Sequence, residues 1–136
     1  MSYAVLLCQT DNRAKIIQCE GDVLHECYRV IDCDSVQLVP EYPGRLPKGY
    51  EAVCDENTWG KTLFINPLAS WIYGADIHGA AIMGNAVVLK IIDTKDGEDL
   101  AFMTEEEATA LAEELNKDFE TKYDLAVFTV MREIMQ

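Results

Sequence analysis

Residues 66–92 constrain the fold of this chain more than any other stretch, because local rules fix where a helix starts and stops there. Asn66 is a favourable N-cap, since its side chain can accept a hydrogen bond from a backbone N–H of the first turn. Pro67 falls on the first helical position, where its missing N–H costs nothing. Gly74 suits the left-handed conformation that ends many helices. These signals predict a two-turn helix over about residues 67–73.

The predicted helix must pack on a sheet, because two turns are not stable alone in water. Its apolar face consists of Leu68, Trp71 and Ile72. A loop is predicted at 75–78, and Gly84-Asn85 predicts a hairpin turn between strands at 80–83 and 86–92. Only Lys90 interrupts the apolar run at 86–92, which is typical of a central strand covered on both sides or one with a single exposed position.

The remaining chain supplies further strands and two further helices. Apolar runs of strand length lie at 3–8, 15–19, 35–39, 50–55 and 125–131, and helical spacing lies at about 22–30 and 105–119. Asp22 caps the first of these helices, and Thr104 with Glu107 forms a capping box before the second. The sequence therefore predicts a single α+β domain over 1–136. It has a mainly antiparallel sheet of about six or seven strands and two or three helices, including the short capped helix near 67–73 and a longer acidic helix near 105–119.

Composition narrows the class of protein. The 136 residues are 49% hydrophobic, which suits a packed core. The net charge of −13 opposes direct binding to nucleic acid, because phosphates would be repelled. The sequence has no run of about 18 apolar residues, so no membrane-spanning helix is predicted. The first residues also lack the basic start of a signal peptide. A cytoplasmic protein is expected.

The five cysteines are odd in number and scattered, with no CxxC pair. Reduced thiols that act as small apolar groups are expected at all five positions. A zinc site from His25, Cys27 and Cys33 is the alternative, but the spacing matches no usual ligand pattern. Neither a metal nor another cofactor is predicted.

Most of the excess negative charge lies in residues 98–136, which hold 11 acidic and 3 basic side chains. An acidic helix can imitate the phosphate spacing of DNA, and its candidate residues are Glu106, Glu113 and Glu114. The alternative is an ordinary solvated helix, because acids in the first turn suit the helix dipole. Pairs of Glu113 with Lys117 and of Asp118 with Lys122 would account for further acids.

Candidates for contact with a ligand or partner cluster on either side of the capped helix: Asp55, Glu56, Asn57, Trp59, Asn66, Tyr73 and His78. Exposed aromatic rings beside polar groups can stack on a base or anchor a protein. Each has an architectural alternative. Asp55 can fix backbone N–H groups of a turn, Asn66 can cap the helix, and Trp59 and Tyr73 can pack locally. Trp71 is expected in the core.

Catalytic motifs are missing from the sequence. Asp55 and Glu56 are neighbours on a strand and point to opposite faces, which opposes shared acid–base work. His78 has no positioned Cys or Ser partner, Ser70 is not on a GxSxG elbow, and neither a P-loop nor GxGxxG occurs. A non-enzyme is therefore predicted, with no catalytic residues.

Four motifs carry a family resemblance: VIDCDSVQLV at 30–39, VCDEN at 53–57, INPLASWIYG at 65–74 and GNAVVL at 84–89. With them, residues 28–92 resemble a domain-of-unknown-function family of phages and bacterial mobile elements, number three thousand eight hundred and forty-six. The resemblance implies a phage or mobile-element setting and no catalytic residues. Residues 93–136 lie outside it as an acidic C-terminal extension.

The functional prediction is a non-enzymatic phage or mobile-element protein with a counter-defence role. It sequesters either a small host ligand, for which a nucleotide-like molecule is one option, or a host protein. The alternative is an acidic DNA mimic that inhibits a DNA-binding or restriction enzyme. A small hydrolase or metal enzyme is the third hypothesis. An uncovered edge strand or the segment 100–103 would favour a homo-oligomer.

Overall fold

Six antiparallel strands form one sheet in a computed structural model that describes residues 1–11, 13–40 and 45–122. The strands are β1 (Ser2–Leu7), β2 (Ala14–Cys19), β3 (Val36–Leu38), β4 (Tyr50–Asp55), β5 (Ala86–Thr94) and β6 (Gly97–Ala101). Their order is β2-β1-β5-β4-β3. On one edge of β5, β1 pairs with its first half and β6 with its second half, whereas β4 pairs with the other edge. The predicted α+β class is confirmed. The sheet joins strands inside and outside residues 28–92, so that segment is not a separate structural unit.

Four helices complete the described chain: α1 (Val23–Ile31), α2 (Pro67–Tyr73), α3 (Ala75–His78) and α4 (Glu105–Lys122). Side chains of β5 alternate between two cores. Ala86 and Val88 lie in a core with α2 and α4, whereas Val87 and Leu89 lie in a core with α1. The prediction of a central strand covered on both sides is confirmed. The helices of the described ranges are all too short or too polar to cross a membrane.

The predicted helix starts are confirmed in their hydrogen bonds. The carboxylate of Asp22 accepts from the N–H of His25 at 3.2 Å, and α2 begins and ends as predicted. Thr104 and Glu107 form the reciprocal capping box, with N···O distances of 3.1 and 3.0 Å. Gly74 has φ of 89°, which ends α2 in the left-handed region. These features depend on a few adjacent residues, so sequence was sufficient to place them.

Two local predictions are wrong. Residues 75–78 form one helical turn rather than a loop, because the carbonyl of Gly74 accepts from the N–H groups of Ile77 and His78. Residues 80–83 form no strand, and a single bridge joins Met83 to Ile65. The backbone N–H and C=O of Ile82 form hydrogen bonds with the Ser70 hydroxyl, and the C=O also accepts from the N–H of Asn66. These groups are therefore not paired with a hairpin partner.

Residues 97–101 form the strand β6, which the sequence pattern did not predict. The Asp96-Gly97 turn leads into it, and Glu98 and Asp99 obscure its alternation. Within the segment 100–103, Leu100 pairs with Ile91 and Met103 forms a single bridge with Tyr3, and the homo-oligomer expected from this segment stays a prediction. The predicted strand at 125–131 lies outside the described residues.

Candidate functional site

A pocket of about 290 Å³ lies between β3, at the edge of the sheet, and the segment that follows α2. We call it the β3 pocket. Its lining residues come from β3, β4, the end of α2 and the loop before β5: Gln37, Leu38, Pro40, Cys54, Tyr73, Ala80, Ala81 and Ile82. None of these side chains carries a charge at neutral pH, which is notable in a chain with a net charge of −13.

Strand register builds one wall of the β3 pocket. Gln37 lies directly opposite Cys54, so both side chains point to the face of the sheet that α2 covers. The Gln37 Nε2 lies 3.9 Å from the Cys54 Sγ, which is a weak contact. Burial raises the pKa of the Cys54 thiol, and the hydrogen bond from Gln37 lowers it in part. Cys54 therefore presents a neutral thiol, and the Gln37 carboxamide is held only loosely.

Buried polar side chains hold the opposite wall. The Ser70 hydroxyl accepts from the N–H of Ile82 at 2.9 Å and donates to its carbonyl at 3.3 Å. The N–H of Asn66 donates to the same carbonyl at 2.8 Å. Both Asn66 and Ser70 are fully buried. The loop at Ile82 is thus fixed to α2 although it has no regular secondary structure.

Asn66 joins three parts of the fold through its side chain. Its Oδ1 accepts from the N–H of Ala69 at 3.0 Å, and its Nδ2 donates to the carbonyls of Leu7 at 2.7 Å and Gly84 at 2.9 Å. The cap prediction is confirmed. With 0% of its surface exposed, Asn66 acts on a ligand only by shaping the wall of the pocket.

His78 holds the end of α2 next to Tyr73. Its Nδ1 accepts from the N–H of Ala80 at 3.1 Å, so its Nε2 carries the proton and donates to the carbonyl of Tyr73 at 2.9 Å. The two rings meet edge to face with centroids 4.5 Å apart. Tyr73 and His78 are thus brought together at the β3 pocket. Because both imidazole nitrogens form hydrogen bonds, His78 holds Tyr73 in place at the wall of the pocket and does not serve as a free base.

A second polar group consists of Arg45 and its partners on α2 and α3, outside the pocket lining. Arg45 donates from Nη1 and Nη2 to Asp76, at 2.5 and 2.9 Å, and from Nη1 to the carbonyl of Trp71 at 2.8 Å. Its guanidinium carbon also lies 5.1 Å from the centre of the Trp71 ring. Arg45 is therefore already neutralised and is not available to bind an anion in the pocket.

We expect the Arg45–Asp76 pair to stabilise the fold at neutral pH and not in strong acid. The hydrogen bond from Arg45 lowers the pKa of Asp76 below its ordinary value of 3.8. A carboxyl whose pKa is lower in the folded state stabilises that state above the unfolded pKa, and loses this contribution as pH falls through the folded pKa. Asp76→Asn should cost about 1 kcal/mol of unfolding free energy at pH 7, after allowance for partial exposure, and less at about pH 3, below the ordinary pKa of the carboxyl. Urea unfolding at both pH values checks this, and an equal cost at both would contradict it.

Asp55, Glu56, Asn57 and Trp59 lie together in a separate turn at the end of β4. Asp55 is buried, and its Oδ1 accepts from the N–H of Asn57 at 2.9 Å, as the turn alternative predicts. Lys61 Nζ lies 2.5 Å from its Oδ2, and this hydrogen bond raises the pKa of Lys61. Glu56 instead accepts from the hydroxyl of Ser35. The two carboxylates thus have different partners, while Trp59 stands 91% exposed.

The DNA-mimic candidates Glu106, Glu113 and Glu114 are all exposed on α4. At about 100° per residue, Glu106 and Glu113 share one stripe, but Glu114 lies about 80° away from Glu106. Lys117 falls on the same stripe and interrupts it with a positive charge. Among the other acids, Glu107 pairs with Lys90 at 2.7 Å and Glu120 with Arg13 at 3.0 Å. A continuous row of negative charge is therefore not formed on this stripe.

In the described ranges, no three His, Cys, Asp or Glu side chains are grouped so that they could hold a metal ion. That statement covers His25, Cys27 and Cys33. All five cysteines are free thiols, and burial raises the pKa of Cys27 to about 11. Such a thiol is protonated at neutral pH and is therefore a poor nucleophile.

The chain matches no protein-family model, no curated protein and no solved structure. The resemblance of residues 28–92 to the phage and mobile-element family stays a prediction. Of the eight lining residues, only Tyr73 was singled out as a site candidate from the sequence. The one signal for Gln37 and Cys54 is the pairing of the 35–39 and 50–55 strands, whose register the sequence does not specify.

Proposed function

We propose that this protein is a non-catalytic binding protein whose β3 pocket receives an uncharged ring-shaped group of its ligand. The observation that carries this proposal is a pocket of about 290 Å³ whose lining combines an aromatic ring, a carboxamide and a thiol with no charged side chain. Ligand sites are typically concave with a few well-placed polar groups, and they start at about 300 Å³, so this pocket is just at their lower limit. A single base-like or phenol-like ring suits that size.

Two side chains supply recognition. Tyr73 is half-buried and held from behind by His78, so its ring is ordered before a ligand arrives. An ordered ring loses little entropy on binding and favours stacking. Gln37 offers both a donor and an acceptor, and among the described residues its side chain makes one hydrogen-bond contact, the weak one to Cys54. It can therefore turn to the polar edge of a bound ring.

Charge selects against anions. Arg45 and Lys61, two cations whose partners lie on α3 and β4, already pair with Asp76 and Asp55. The net charge of −13 would repel a phosphate that entered an uncharged pocket. The expected nucleotide-like ligand is accordingly narrowed to the neutral part of a nucleotide, a nucleobase or nucleoside.

The absence of turnover is part of this proposal. His78 uses both ring nitrogens, Asp55 is paired with Lys61, and Cys54 is held as a thiol. These contacts favour holding a ligand over converting it. A protein of this kind acts by sequestration, in proportion to its amount, and a counter-defence role in a phage or mobile-element setting is proposed on that basis.

A comparison of adenosine with ATP tests the proposal. We expect adenosine to raise the melting temperature and to bind at least about tenfold more tightly than ATP, since ATP brings unpaired phosphates into an acidic site. Tyr73→Ala should abolish the shift. Trp59→Ala should leave it unchanged because Trp59 does not line the pocket. Thermal shift and calorimetry on all three proteins provide the measurement.

Three results would overturn it. These are no binding of adenosine or the other three common nucleosides, ATP binding as tight as adenosine, or a Tyr73→Ala variant that folds normally and binds unchanged. Circular dichroism of each variant separates loss of the site from loss of the fold. If Trp59→Ala alone lost binding, the site would lie in the turn after β4 instead.

A further inference from the structure

The outer edge of β3 has backbone groups that the described chain does not use. β3 is the last strand of the sheet, and hydrogen bonds to β4 flank it, from Val39 N to Ala52 O at 2.8 Å and from Glu56 N to Ser35 O at 3.0 Å. In an antiparallel pair the bonded positions alternate, so Gln37 faces β4 while the N–H and C=O groups of Val36 and Leu38 face away. No partner for these four groups is found in the described ranges.

We propose that an extended cationic peptide segment of a partner protein adds to β3 as a further strand and places one uncharged side chain in the β3 pocket. This assignment depends on the proposed function, because the same pocket receives the ring, here one carried by a peptide. Strand addition gives affinity through backbone hydrogen bonds and specificity through pockets for alternate side chains.

The position of the pocket fits such a strand. Gln37, Leu38 and Pro40 line the pocket and also form or follow the free edge. A residue of an added strand directly opposite Gln37 would point to the same face as the Gln37 side chain, the face where Cys54 and Tyr73 lie. Its neighbours would point to the other face, beside the Leu38 side chain, which is 52% exposed.

Charge argues for a cationic partner rather than a second copy of this chain. Asp32, Asp34 and Glu56 are exposed next to the start of β3. The nearby cations Lys61 and Arg45 are already paired. Lysine or arginine beside the ring-bearing residue would complement this acidic margin, whereas two copies with a charge of −13 each would repel one another.

A selection from a random nonapeptide library on the whole protein tests this directly. We expect enriched peptides with a net positive charge, an aromatic residue flanked by alternating positions, and no central proline. The best synthetic peptide should lose at least about tenfold in affinity when the amides that pair with Val36 and Leu38 are N-methylated, because each methyl group removes a donor. Methylation at the intervening amides should have a much smaller effect.

Matched proline variants on the two sheet edges locate the binding. Leu38→Pro removes an outward N–H from β3, a position that an edge strand tolerates. Ile16→Pro is the control on β2. The backbone of Ala14 exchanges hydrogen bonds with the side chain of Asn116 and so faces away from β1. Because bonded positions alternate along a strand, the backbone of Ile16, two residues later, also faces away from β1. Peptide binding should be lost in Leu38→Pro and kept in Ile16→Pro, with both folds checked by circular dichroism.

Several outcomes would contradict strand addition at β3. They are no enriched peptide, enrichment of acidic peptides, insensitivity to N-methylation, or loss of binding in Ile16→Pro alone. If adenosine still binds the wild-type pocket in those cases, only the peptide assignment fails. If adenosine also fails to bind, the proposed function fails with it. Competition between adenosine and the selected peptide should be mutual, since both need Tyr73.

Discussion

Replacing Asn66 with alanine should destabilise the protein by about 3–5 kcal/mol. The cap to Ala69 contributes about 1 kcal/mol, and the two carbonyls left without the Nδ2 donor, on Leu7 and Gly84, cost about 1–3 kcal/mol each because no water reaches them. These contributions overlap, since the loop before β5 relaxes once its tie is cut. The variant should also weaken ligand binding, because Gly84 and Ile82 belong to the loop that forms one pocket wall.

Urea unfolding of Asn66→Ala and of Asn57→Ala measures the effect. Asn57 is the matched control, because it is an exposed asparagine whose contact with Asp55 is made by its backbone N–H, which alanine keeps. Its replacement should change the unfolding free energy by less than about 0.5 kcal/mol. Similar small effects for both variants would contradict the role of Asn66 as the junction of β1, α2 and the pocket loop.

Replacing Trp71 with alanine should cost about 3–5 kcal/mol, whereas the same change at Trp59 should cost less than about 0.5 kcal/mol. Trp71 is 2% exposed, packs edge to face on Phe119 with centroids 5.8 Å apart, and has Arg45 over its ring. Its removal leaves a cavity between α2 and α4 and an uncovered guanidinium. Trp59 projects from a turn and touches little that would be lost.

The two tryptophans make a matched pair, since they differ in burial and not in chemistry. Urea unfolding followed by circular dichroism gives both free energies, because fluorescence would depend on the residue that is removed. A large loss for Trp59→Ala, or a loss below about 1 kcal/mol for Trp71→Ala, would contradict the assignment of Trp71 to the core.

Features that depend on adjacent residues were predictable from the sequence. α2 needs only Asn66 and Pro67 to start, Gly74 to stop, and an apolar face to dock. The capping box at Thr104 and the apolar run of β5 are equally local. The α+β class follows because most elements carry their own periodicity, although β6 was missed and the strand expected at 80–83 does not form.

Features that depend on pairing between distant residues were not predictable. The β3 pocket exists because Gln37 lies opposite Cys54 in one particular register, and a slip of β3 by one residue would turn the Gln37 side chain to the other face, away from Cys54. The expected strand at 80–83 failed because Ser70, twelve residues earlier, takes the backbone groups of Ile82. Tyr73 and His78 were named as candidates from the sequence, but their mutual contact depends on the single turn of α3.

The β3 pocket as the binding site is tested most directly by an NMR titration of the ¹⁵N-labelled protein with adenosine. We expect saturable shifts of the backbone amides of Leu38, Tyr73 and Ala81 and of the Gln37 side-chain amide, with the Trp59 indole N–H unmoved. Shifts that centre on Trp59 and leave these groups unmoved, or no saturable shift at any residue, would contradict a binding site at the β3 pocket.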